Sequence, residues 1–195
     1  HIRLGQLYLQ VGRPEDAVRE FELAIEIDPE NASYAVSLGQ SYLAHGRLDD
    51  AIAEYERAAE TEPDEGTHQV AIGFAYLNIG EDPATAQERF WHALDLYSEG
   101  GASPADVAQA NYGLARTHLE QGGCEPALPY LHETIRLDPT RTDAGAYLLQ
   151  CLQNSGMAYT SLPAGLTSGG QVSRDVGLRL LVQSLTELEI DSWAE

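Results

Sequence analysis

Residues 35–63 read AVSLGQSYLAHGRLDDAIAEYERAAETEP, and residues 1–29, HIRLGQLYLQVGRPEDAVREFELAIEIDP, carry the same pattern 34 positions earlier. Leu4 and Leu38, Gly5 and Gly39, Tyr8 and Tyr42, Gly12 and Gly46 fall in register. So do Ala17 and Ala51, Phe21 and Tyr55, Ala24 and Ala58, and Pro29 and Pro63. A third copy follows with Ile72, Gly73, Tyr76, Gly80, Ala86, Phe90 and Ala93. A fourth has Leu114, Ala115, His118, Gly122, Ala127, Leu131 and Thr134, closed by Pro139. The small residue recurs at spacings of 34, 34 and 42. A period near 34 means that each repeat is one helical hairpin, which cannot bury its apolar face alone and stacks on its neighbours.

Each column has a physical task. The small residue lets two helices approach closely, the aromatic fills the gap beside it, and the proline stops the second helix before the next begins. Over residues 1–139 these columns resemble the tetratricopeptide repeat family. The resemblance implies an all-α, right-handed solenoid of helix-turn-helix hairpins, with four repeats and a degenerate fifth. The array is expected over residues 1–156, in repeats of about 1–31, 32–65, 66–100, 104–141 and 142–156.

Departures from the period are informative. Tyr76 to Ala86 is one residue longer than its counterparts, Ser98 stands where the third proline should be, and about seven residues enter between Ala93 and Asn111. This predicts a lengthened second helix through Trp91, Leu94, Leu96 and Tyr97, broken at Gly100-Gly101. Ser103-Pro104-Ala105-Asp106 then reads as an N-cap, a first-turn proline and an acid favoured by the helix dipole. Leu148, Leu152 and Gly156 start a fifth repeat on schedule. Its second helix does not follow, because Ser161, Gly165 and Ser168 occupy the packing columns. Residues 157–172 read as a Gly/Ser/Thr-rich linker. Residues 173–195 read as an amphipathic helix striped by Leu178, Leu181, Leu185 and Leu188. That helix is expected to cap the array, or to detach and dock in a groove of this chain or of a second copy.

The chain has 31 acids, 11 arginines and no lysine, a net charge of −20. A phosphate backbone or an anionic lipid surface would repel it, so neither nucleic acid nor a membrane is an expected partner. The acids read as solvated helix faces, and their excess suggests adaptation to high salt, where self-repulsion is screened. No run of 18 apolar residues and no export leader occurs, which favours the cytoplasm over the periplasm. Residue 1 falls inside a helical pattern, leaving room for a leader or earlier repeats ahead of it.

Catalysis has no sequence support: there is no phosphate loop, no His-Glu-x-x-His run and no nucleophile elbow. No catalytic residue, metal or cofactor is expected. His118 lies in the aromatic column and reads as a core filler, while His92 and His132 read as partly exposed. Cys124 and Cys151 fit no metal or redox motif and are read as free thiols. Neighbouring places in the stack still make a disulfide conceivable, and it would argue for an oxidising compartment.

In the family that the columns resemble, the first helices of successive hairpins line a concave groove that grips a peptide or helix. Carried over by position, the lining here includes Gln6, Gln40, Phe74, Leu77, Asn78, Tyr112, Arg116, Gln150 and Asn154. This set is apolar, amide-rich and almost uncharged, which is interface-like. Arg116 is its one base and has Glu120 a turn away, so a clamp for carboxylate tails is not expected. The function expected is a non-catalytic adaptor for an apolar or amide-rich segment of another protein. The alternatives are a docking or regulatory arm of a larger enzyme, such as a glycosyltransferase or protease, and self-association as a homodimer through the last helix.

Overall fold

The computed structural model describes residues 1–80 and 82–154; the linker expected over 157–172 and the helix expected over 173–195 lie outside the described residues. Among those described the chain is all-α, and it divides into two compact units, His1–Ala102 and a second beginning at Ser103.

The N-terminal unit holds three hairpins: α1 (Ile2–Gln10) with α2 (Pro14–Ile27), α3 (Ala32–Ala44) with α4 (Leu48–Thr61), and α5 (Gly66–Ile79) with α6 (Pro83–Gly100). Each first helix packs on its own second helix, and each second helix packs on the next first helix. One core runs through the unit, in which Ala17, Val18 and Phe21 of α2 join Leu38 and Tyr42 of α3, Ala51, Ile52 and Tyr55 of α4, and Ile72 and Ala75 of α5. Within each hairpin the ring of the second helix lies against the glycine of the first. A Cβ on Gly5 would stand 2.7 Å from Phe21 Cζ, and one on Gly73 would stand 2.7 Å from Phe90 Cε1.

The hairpin turns are built alike. Gly12, Gly46 and Gly80 have φ between 73° and 77°, a left-handed conformation that side chains resist. In the first two hairpins an arginine follows. Arg13 lies 4.9 Å from the Tyr8 ring centroid and Arg47 4.3 Å from that of Tyr42, and the same arginines pair with Asp16 and Asp50 in the first turn of the next helix. Cation–π attraction and a dipole-favoured acid thus fix the same corner. In the third hairpin Asp82 caps α6 by accepting from the Thr85 amide at 3.1 Å. The lengthened α6 then reaches back over the start of α5, where a Cβ on Gly66 would meet Tyr97 Cε1 at 2.5 Å.

The C-terminal unit contains α7 (Pro104–Glu120), α8 (Cys124–Leu137) and α9 (Thr142–Asn154). Ser103 and Asp106 form a reciprocal capping box, with Pro104 in the first turn of α7. The expectation of two free thiols is overturned, because Cys124 and Cys151 are joined, with Cα atoms 5.2 Å apart. The repeat explains it. Cys151 stands 34 residues beyond Thr117, in the small-residue column that also holds Ser41 and Ala75 and that turns toward the preceding second helix. Cys124 begins that second helix.

Candidate partner-binding face

In the N-terminal unit, Gln6, Gln40 and Phe74 each follow by one position the glycine that receives the hairpin's ring. One residue is about 100° of helix, so these side chains leave the hairpin interface on a shared side. Gln6 and Gln40 are exposed, as is Asn78 farther along α5. Ile2, Leu9, Val36 and Leu43, at neighbouring positions on α1 and α3, are half-buried against the core. The face therefore alternates amide groups with partly covered apolar groups, and none of these residues is charged.

The arginines of this unit that make ion pairs are engaged with acids near them. Arg19 pairs with Asp16, Arg57 with Glu54 at 2.6 Å, and Arg89 with Glu56 at 3.0 Å while also donating to Gln69. Phe74 is half-buried, its ring edge-on to Phe90 with centroids 4.9 Å apart, so it serves the hairpin as well as the surface. Leu77, expected on this surface, is buried.

In the C-terminal unit Tyr112 is also buried rather than presented. Arg141 lies 4.6 Å over its ring, and burial together with a hydrogen bond to Asp143 pushes its phenol well above the usual tyrosine range. Arg141 also donates to Gln109 and lies 3.6 Å from Asp138. This polar knot at the α8–α9 turn escaped sequence reasoning, although Arg141, two residues after the Pro139 stop, was its signal. Arg116 pairs with Glu120 at 2.9 Å, which neutralises the one base on the expected groove. Gln150 is exposed on α9, and Asn154 ends α9, its side chain outside what is described.

The histidines form no site. His118 stacks on Tyr130 at 5.4 Å within the α7–α8 hairpin, His92 is exposed, and half-buried His132 has its pKa lowered by burial. Among the described residues no group of three His, Cys, Asp or Glu is placed to hold a metal ion, and no helix is long and apolar enough to cross a membrane.

A family model for the tetratricopeptide repeat matches residues 2–66, covering the α1–α2 and α3–α4 hairpins. Residues 2–66 carry tetratricopeptide repeats. No curated protein matches it by sequence. Solved structures share its fold. The pilF protein of Pseudomonas aeruginosa has a TM-score of 0.70 at 22% identity, over 95% of this chain and 82% of that one. MamA has a TM-score of 0.64 at 18% identity, over 94% of this chain and 93% of its own. YrrB, described as a tetratricopeptide repeat protein with an unusual peptide-binding site, has a TM-score of 0.56 at 26% identity, over 70% of this chain and 66% of its own. The repeat assignment rests on the columns and the family model; the likenesses to pilF and MamA speak for the solenoid alone.

Proposed function

We propose that the chain is a non-catalytic scaffold whose first-helix face holds an extended, uncharged stretch of a partner protein. The observation that carries this is the absence of charge from the row Gln6, Gln40, Phe74 and Asn78 in a chain of net −20. An extended peptide has unpaired backbone donors and acceptors, and a primary amide satisfies either. Packed helices lie about 8–10 Å apart. An extended chain advances about 3.3 Å per residue, so successive first helices meet a bound segment at every third residue. Gln6 and Gln40 then bond its backbone, and the exposed edge of Phe74 receives an apolar side chain. The peptide-binding site ascribed to YrrB supports the class of partner. With no free base on the face, the segment is an interior one, not an acidic chain end.

The test is selection from a displayed library of random peptides by the intact chain, followed by calorimetry on the selected peptides. The expected ligands are uncharged and bind the Gln6→Ala, Gln40→Ala double variant about tenfold or more weakly, with its melting temperature unchanged. Ligands that bind the variant equally well, or that all end in acidic residues, would overturn the reading.

The disulfide between Cys124 and Cys151 supports a compartment where thiols are oxidised, contrary to the cytoplasm that the sequence favours. Alkylation of the protein in its native cells before lysis tests this. Modification of both cysteines without prior reduction would count against it.

A further inference from the structure

Asn31, Ala32 and Ser33 form an Asn-x-Ser triplet, and none of the other three asparagines, Asn78, Asn111 and Asn154, has serine or threonine two positions on. A triplet of this kind, with any residue but proline in the middle, is the acceptor of N-linked sugar on the surface of secreted chains. Such triplets also arise by chance or serve a helix start, so the surroundings of these residues decide between the readings.

The triplet forms the corner between α2 and α3, within the N-terminal unit and between two described hairpins. Asp28, Pro29, Glu30 and Ser33 are exposed and Asn31 is half-buried, while the Ala32 side chain is buried. Asn31 stands at the N-cap of α3, where an asparagine ordinarily accepts a bond from a backbone amide of the first turn. Here its side chain makes no cap bond. Its Oδ1 accepts instead from the Ser33 hydroxyl at 2.5 Å, and its Nδ2 lies 3.5 Å from Asp28, at the outer limit of a hydrogen bond. The other corners that follow a proline use the same column for the fold. Two residues after Pro63, Glu65 caps α5 by accepting from the Thr67 amide, and two residues after Pro139, Arg141 joins Tyr112 to Asp138. At the first corner the column holds a carboxamide that the helix does not spend.

We propose that Asn31 is a glycosylation site and carries an N-linked sugar. The inference rests on the reading of Cys124–Cys151 as the mark of an oxidising compartment, because this modification belongs to secreted chains. The donor class is a sugar joined to a lipid pyrophosphate. Asn31 Nδ2 forms a bond to the anomeric carbon as the carbon–oxygen bond to pyrophosphate breaks, and the lipid pyrophosphate leaves with the electron pair. The amide proton passes to a carboxylate of the transferase. As that proton departs, negative charge gathers on Oδ1, the atom to which the Ser33 hydroxyl already donates. A hydrogen bond to a charged acceptor is roughly twice as strong as a neutral one, so the hydroxyl favours the reacting form over the resting amide. Threonine can make the same bond and alanine cannot.

The test is mass spectrometry of the whole chain purified from its native cells, with thiols alkylated before lysis. The intact mass is expected to exceed that of the sequence by a run of hexose or N-acetylhexosamine residues, and fragmentation is expected to place them on the Asn31 side chain. Expressed in the same cells, Asn31→Gln and Ser33→Ala should lose the added mass, and Ser33→Thr should keep it. An unmodified Asn31 in a chain whose cysteines resist alkylation would overturn the proposal and leave the compartment reading standing. An unmodified Asn31 together with two alkylated cysteines would overturn both. A sugar that persists in Ser33→Ala would overturn the assignment to this triplet.

Discussion

Gly39 faces the ring of Tyr55 so closely that a methyl group on it would stand 2.6 Å from Cε1, inside any real carbon–carbon contact. The contact is a matched pair. Glycine stands opposite an aromatic in the three hairpins of the N-terminal unit, and in the fourth hairpin Ala115 stands in the glycine column while Leu131 stands in the aromatic one. The interface keeps its total volume by trading a methyl on one helix against ring atoms on the other.

Gly39→Ala is therefore expected to lower stability, because overpacking costs about 1–3 kcal/mol and the gain in helix propensity returns at most about 1 kcal/mol. Combining it with Tyr55→Leu recreates the pair of the fourth hairpin. Urea unfolding should find the double variant at least about 1 kcal/mol more stable than the sum of its single changes, since contacting residues couple on that scale. Additive losses would show that the ring is not what excludes the methyl.

The columns made the hairpins legible because every interior repeat gives the same position the same surroundings. Singular features were not legible for the same reason. Tyr97 belongs to a lengthening that only α6 has, so its seat on Gly66, 31 residues away, has no counterpart to reveal it. Phe74 shares a column with Gln6 and Gln40, which marked it as surface. Its half-buried contact with Phe90 depends on a side chain long enough to fold back, which a column of amides does not disclose. Cys151 was legible as a small residue in a buried column, but the pairing with Cys124 needed the distance between α8 and the start of α9. The charge-free face, by contrast, follows from register alone.

Stability should fall at alkaline pH, and Tyr55→Phe should remove part of that fall. Burial pushes the Tyr55 phenol up to about 12, against an ordinary value near 10. The folded state therefore holds this proton where the unfolded state releases it, and the associated stability, complete below pH 10, is lost as pH rises from about 10 to 12. At about 1.4 kcal/mol per unit the loss is on the order of 2–3 kcal/mol. Phenylalanine already fills this column at Phe21 and Phe90, so the variant should fold normally. Its unfolding free energy at pH 11 should exceed that of the parent by more than it does at pH 7. Equal pH profiles would mean that the hydroxyl reaches solvent in the folded state.

Salt should raise the melting temperature. The chain carries an excess of 20 negative charges, and shortening the Debye length from about 10 Å at 0.1 M to about 3 Å at 1 M screens their repulsion. The same salt weakens exposed pairs such as Arg47 with Asp50 and Arg136 with Glu133, but solvated pairs of this kind contribute little to stability. Calorimetry from 0.05 to about 2 M sodium chloride decides which term wins. A flat or falling melting temperature would remove the case for adaptation to high salt.

Reduction of Cys124–Cys151 should loosen α9 before anything else. The bond closes a separation of 27 residues, and the chain entropy so removed from the unfolded state is worth on the order of 3–4 kcal/mol. Within its unit α9 packs against α8, with Asp143 bonded to Tyr112 and with Ala144, Leu148 and Cys151 buried. Among the described residues α9 has helices on its preceding side only, whereas α3 is held between α2 and α4. Hydrogen exchange on the oxidised and reduced protein should show α9 amides exchanging about tenfold or more faster after reduction, while those of α3 and α4 stay unchanged, as expected when neighbouring repeats fray as separable units. Cys151→Ser, which restores the residue type of Ser41 in the same column, should behave like the reduced form and so separate loss of the bond from damage by the reductant. Equal protection of α9 in all three forms would show that side-chain packing alone seats this helix.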